Sequence, residues 1–111
     1  MNNMTYSGNT VTIDGTEIET SIEIFNAVSF GDVVLVQCTN CELEPRNVIA
    51  FDTDGNRLWQ IQPLKKDDED SARRVNHLSV ADDFVQVRDP GGDRYRVDLE
   101  TGEVEFIGWS R

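Results

Sequence analysis

The stretch NVIAFDTDGNRLWQI, residues 47–61, returns in relaxed form at 94–108 as RYRVDLETGEVEFIG. Each copy is a short apolar run, an Asp-bearing turn that ends in glycine, and a second run. A large aromatic residue, Trp59 or Phe106, stands four positions after that glycine. Asp52 corresponds to Asp98 and Gly55 to Gly102, the second turn being one residue longer. Upstream, VSFGDVVLVQ (28–37) lies over SVADDFVQVR (79–88). Glycine accepts the left-handed backbone that closes many hairpin loops, so a chain that writes this ribbon twice is committed to local antiparallel pairing.

The remaining sequence agrees. Short alternating runs rich in Val, Ile, Phe, Tyr and Thr are broken by Gly, Asp and Asn, and helical periodicity is nearly absent. TVTIDGTEIET (10–20) reads as two strands about an Asp14-Gly15 turn, followed by strands in SIEIFNAV (21–28) and VVLVQ (33–37). The last is apolar on both faces, which places it mid-sheet or between layers. Strands resume at 75–80, 84–88, 93–98 and 103–109. Between the halves, PLKKDDEDSARR (63–74) is densely charged and reads as an exposed, mobile loop. The expected fold is therefore one all-β domain over 1–111 with about nine strands. It consists of a first unit at about 10–62 and a second at about 75–109. The two are related antiparallel meanders, packed as a sandwich or flattened barrel.

Register tests this reading. A four-residue loop Leu99 to Gly102 opposes Val97 to Val104, Arg96 to Glu105 and Tyr95 to Phe106. A three-residue loop at 90–92 opposes Val87 to Tyr95 and Val85 to Val97. Those six apolar residues then share one face, while Gln86, Arg88, Arg94, Arg96 and Glu105 share the other. A slip of one residue would mix the faces. In the first copy, a loop Thr53 to Gly55 pairs Ile49 with Trp59 and Ala50 with Leu58, so both faces are apolar.

The first hairpin resembles the inner part of a quinoprotein-type β-propeller blade, with its Ala-x-Asp-x-x-Thr-Gly-x-x-x-Trp pattern. Ala50, Asp52, Gly55 and Trp59 match, and Asp54 stands for the Thr in a loop one residue short. VDLETGEVEF keeps Asp98, Thr101 and Gly102, with Arg96 at the Ala position and Phe106 at the Trp position. From Ser21 onward the chain also resembles small prokaryotic proteins built from two such hairpins, which bring no assigned activity. The resemblance implies two blade-like units, short of the four or more that a full propeller needs. It implies no quinone cofactor.

Twenty-one carboxylates face ten Lys and Arg, for a net charge of −11, which opposes nucleic acid as a partner. Asp is plentiful and only Lys65 and Lys66 are lysines, a balance that fits adaptation to a salt-rich cytoplasm; an acidic surface for a basic partner is the alternative. No secretion signal and no apolar run of membrane-spanning length is visible, so a cytoplasmic setting without membrane attachment is expected. A reducing cytoplasm disfavours structural disulfides.

Candidate chemistry centres on QCTNCE, where Cys38 and Cys41 have metal-knuckle or redox spacing. Zinc wants four ligands, so a site would need the lone His77 and a carboxylate to converge, or two subunits to share cysteines. A redox-responsive disulfide and two ordinary loop thiols are the other readings. DTDGN (52–56) begins like a calcium loop, but position 12 falls on Pro63, and a hairpin turn explains it. DPGGD (89–93) has glycines without the helix and Lys of a phosphate cradle. Ser29, Ser79 and His77 lack a nucleophile-elbow context. The carboxylate pairs lack apolar flanks that would tune them for acid–base work. Arg88, Arg94 and Arg96 share a face that could grip a carboxylate or phosphate. The leading expectation is a non-enzymatic protein-interaction module, monomer or homodimer; a metal or redox protein acting through the cysteines is the alternative.

If carboxylate repulsion is the chief liability of the fold, the melting temperature should rise between low and molar salt. Calorimetry gives the answer, and a flat profile would remove this account of the charge.

Overall fold

The computed structural model describes residues 4–39, 41–64 and 73–109, residue 109 by its backbone only. Its regular structure is entirely β: β1 (Met4–Ser7), β2 (Thr10–Ile13), β3 (Thr16–Glu19), β4 (Asn26–Phe30), β5 (Val33–Gln37), β6 (Val48–Asp52), β7 (Arg57–Gln60), β8 (His77–Val80), β9 (Val85–Arg88), β10 (Asp93–Val97) and β11 (Val104–Trp109). These make three antiparallel sheets, each in chain order: β1–β3, β4–β7 and β8–β11. No barrel closes among them. Most of the charged stretch expected at 63–74, namely 65–72, lies outside the described residues; Leu64 and Arg73 on either side pair as an antiparallel bridge.

The central sheet explains why VVLVQ and VIAF have no polar side. Leu35, Val48, Ala50, Trp59 and Ile61 pack from one face against Leu78, Val85, Val87, Tyr95 and Val97 of the third sheet. Val34, Val36, Ile49 and Phe51 pack from the other against Val11, Ile13 and Ile18 of the first. The molecule is thus a sandwich with a further three-stranded sheet laid on its back. The expected first unit, 10–62, is divided between two layers. Two strand assignments also shift. A Gly8-Asn9 turn adds β1, which sequence reading passes over, and SIEIFNAV yields a strand only from Asn26, with Ser21 at φ 64° in the crossing between sheets.

The expected register of the second meander is realised at each stated pair: Val97 with Val104, Arg96 with Glu105, Tyr95 with Phe106, Val87 with Tyr95 and Val85 with Val97. The first hairpin differs by one residue. Its loop closes as expected, Asp52 N–H donating to Asn56 O at 2.9 Å, but a β-bulge then pairs Ala50 with Trp59 and Ile49 with Gln60. Leu58 is the extra residue and stands 45% exposed, while Trp59 turns onto the face toward the third sheet at 8%. A bulge re-aims side chains in this way, and here it delivers the largest side chain of the hairpin to the core. Phe106 has no such bulge before it. It faces Tyr95 edge-on with ring centroids 5.9 Å apart, and lying on an edge strand it remains 42% exposed.

Polar groups fix how the layers sit. Asn26 Nδ2 donates to Leu78 O at 3.0 Å, and Gln37 Nε2 donates to Val75 O at 3.2 Å. Asn47, fully buried, donates to Cys38 O and Val75 O and accepts the Val75 N–H at 2.8 Å. Trp59 Nε1–H donates to Leu99 O at 2.8 Å, and its ring lies on Gly102 so closely that a Cβ there would fall 2.5 Å from Cε3. Each such group would cost about 1–3 kcal/mol if buried without its partner, so sliding one sheet over the other is penalised at several points together.

Both turn glycines hold positive φ, 92° at Gly55 and 79° at Gly102, yet only the second is also pressed by a neighbour. Gly55→Ala should cost about 1–2 kcal/mol, the left-handed penalty alone. Gly102→Ala should cost about 3 kcal/mol or more, because Trp59 must also move. Urea denaturation of both variants measures the difference; equal losses would contradict the docking of Trp59 on this turn.

Candidate functional site

The outer face of the third sheet is built by strand alternation. With Leu78, Val85, Val87, Tyr95 and Val97 turned inward, His77, Ser79, Gln86, Arg88, Arg94, Arg96 and Glu105 turn outward. Register arranges them in two rows. One runs His77, Arg88, Arg94, Gly108 and the other Ser79, Gln86, Arg96, Glu105. Arg88 and Arg94 stand directly opposite each other across the two strands. Gly108 lies beside one of them: a Cβ at that position would make ordinary van der Waals contact with Arg94 Nη2, 3.6 Å away. Arg94 Nη1 donates to Gln86 Oε1 at 3.5 Å, while its buried Nε has no hydrogen-bond partner among the described residues. Arg96 lies over the Phe84 ring with its guanidinium carbon 4.4 Å from the centroid. Such stacking holds the guanidinium plane while leaving its edge donors available.

The sequence-predicted metal candidates are distributed as follows. Cys38, at the end of β5, and Cys41, in the loop that follows, are joined as a disulfide. A bonded sulfur is not a thiolate ligand. His77 stands exposed on β8, in the row with Arg88. Among the described residues no group of three or more His, Cys, Asp and Glu is placed to hold a metal. Ser29 lies on β4 of the central sheet, while Ser79 shares the outer face of β8 with His77, two residues away. Asp52 is engaged by its own turn: Oδ1 accepts the N–H groups of Asp54 and Asn56, and Oδ2 accepts Asn56 Nδ2. The Asn56 side chain is the main cause that holds its carboxyl below the usual carboxylate range. Asp89 closes DPGGD in the same manner, Oδ1 accepting Gly91 and Asp93 N–H.

A buried ionic cluster escapes sequence reading. Asp89 (1% exposed) and Asp93 both accept from Arg73 Nη1, at 3.0 and 2.8 Å, and Tyr95 OH lies 3.3 Å from Asp89 Oδ2. Arg73 comes from the stretch read as loop, and its partners sit 16 and 20 residues away, so no local spacing signals the contact. Desolvation, then the charges of Asp89 and Asp93, push the Tyr95 phenol far above its ordinary value of 10. The cluster ties the start of the second meander to its β9–β10 turn.

The family model of the domain of unknown function DUF7957 matches residues 1–109, so the chain belongs to that family. No curated protein and no solved structure matches. No helix among the described residues is long and apolar enough to cross a membrane.

Once pH passes 10, an unfolded chain releases a Tyr95 proton that the folded chain retains. The contribution is intact below that pH and is lost as pH rises further. Tyr95→Phe should flatten the decline of unfolding free energy between about pH 10 and 12, measured by urea titration at each pH. An unchanged slope would show that the phenol ionises as readily in the folded chain.

Proposed function

We propose that this member of the DUF7957 family is a non-enzymatic interaction module that receives an acidic segment of a protein partner on the outer face of β8–β11. The observation that carries the reading is the directly opposed Arg88–Arg94 pair, set beside Arg96 on a chain of net charge −11. A carboxylate placed between the two guanidinium forks would accept charge-assisted hydrogen bonds from both. Of the seven described basic residues (Arg46, Arg57, Arg73, Arg74, Arg88, Arg94 and Arg96), three lie here. The net charge opposes an acidic ligand at long range. Salt screens that repulsion beyond roughly 8 Å at physiological ionic strength, while hydrogen bonds at contact persist. The proposed setting is accordingly a salt-rich cytoplasm, for which the shortage of lysine is further support.

The blade resemblance belongs to the same proposal. Two successive four-stranded meanders, each closed by an Asp-to-Gly turn, support it. In this reading the third sheet is the last blade-like layer, and its outer face is the one given over to the partner.

Titration of the protein with a short polyglutamate peptide, followed by amide NMR, is the test. Saturable shifts should be confined to Ser79, Gln86, Arg88, Arg94, Arg96 and their strand neighbours. Arg94→Gln with Arg96→Gln should weaken binding at least about tenfold, or 1.4 kcal/mol. Inorganic phosphate serves as the second arm: saturation with phosphate alone would reassign the face to a free anion, and no response to either probe would end the proposal.

A further inference from the structure

We infer that the Cys38–Cys41 bond is a thiol–disulfide exchange site, taking a dithiol as co-reactant, whose state is communicated to the joint between the two meanders. The inference is independent of the arginine face. The two sulfurs are bonded across a separation of three residues. Cys38 is fully buried and Cys41 is half-buried, so an incoming thiolate approaches the pair from the Cys41 side. Accessibility and the direction of attack govern which sulfur an incoming thiolate meets.

The buried partner is wired to the fold. Cys38 N–H donates to Asn47 O at 3.1 Å, and Cys38 O accepts Asn47 Nδ2 at 2.8 Å. The same Asn47 side chain holds Val75 by both its N–H and its O, just before β8 begins. Gln37, next to Cys38, donates to that Val75 O as well. A change in the position of Cys38 therefore acts directly on the residues that seat the second meander on the first.

The chemistry balances with the dithiol named. Its thiolate attacks Cys41 Sγ, a mixed disulfide forms, and the Cys38–Cys41 bond breaks with its electron pair on Cys38 Sγ, which takes a proton. The second thiolate of the co-reactant then attacks its own sulfur in the mixed disulfide and releases Cys41 as a thiolate, protonated from water. Two electrons pass to the cystine, and the dithiol leaves as its disulfide. Oxidation is the same path reversed.

The test equilibrates the purified chain across mixtures of reduced and oxidised dithiothreitol, counts alkylated cysteines by mass, and follows the Asn47 side-chain amide and the Val75 N–H by NMR. One two-electron transition is expected, with both NMR signals shifting along it and the melting temperature falling by about 5 °C on reduction. Cys41→Ser should abolish the transition and leave both signals indifferent to the buffer. Cysteines that alkylate in every mixture, or in none, would overturn the exchange site. A transition that leaves Asn47 and Val75 unmoved would overturn the coupling. Protection of the reduced cysteines by added zinc would replace exchange by metal binding.

Discussion

The burial of both faces of the β4–β7 sheet is the constraint from which the architecture follows. A sheet whose inner strands carry Val34, Leu35 and Val36 beside Ile49, Ala50 and Phe51 cannot leave either face in water. At about 25 cal/mol per Å² of apolar surface, exposing one face would undo the gain made on the other. Two covers are therefore required. The chain supplies them before and after the central sheet, as the β1–β3 sheet and the β8–β11 meander. The outer faces of the covers then turn polar, with Thr12, Glu17 and Glu19 at one end of the stack and the arginines at the other.

Apolar burial does not by itself choose among ways of laying one sheet on another, because greasy faces tolerate sliding. Specific seating comes from the few polar contacts that cross between layers. Asn47 satisfies both backbone groups of Val75, and the Trp59 indole both caps a carbonyl and lies on a glycine that no other residue could replace without displacement. The Arg73–Asp89–Asp93–Tyr95 cluster does the same within the second half. Buried charges stabilise little beyond their own desolvation cost, but removing one partner is expensive, so they discriminate strongly against misplaced alternatives.

Legibility from sequence divided along physical lines. Register in β9–β11 was readable because one face there is polar and the other apolar, so any slip would show as a mixture of Arg and Val. The first hairpin gave no such signal. Both its faces are apolar, and the bulge at Leu58 leaves no mark that alternation can detect. The same ambiguity concealed the third layer: two apolar faces announce two covers only if the short Met4–Ile18 strands are recognised as one of them. Of the candidate site, the shared face of Arg88, Arg94 and Arg96 followed from register alone. The opposition of Arg88 to Arg94 was implicit in the same loop assignment. The Asp89–Arg73 contact was not, since it depends on where the chain returns after a stretch with no periodicity.

The repeat itself explains why one face is buried in the first copy and polar in the second. In the first copy the Ala50–Trp59 pair faces a neighbouring sheet, and a small residue opposite a large one fills the space between layers. In the second copy Arg96, at the Ala50 position, pairs instead with Glu105, and among the described residues no further layer is stacked on them. A repeat that buries its forward face in one layer and leaves it outermost in the next has to change the residues on that face. The backward face, with Ile49 and Phe51 in one copy and Tyr95 and Val97 in the other, stays apolar in both. Arg96, where the first copy has Ala50, thus belongs to the outermost layer among the described residues.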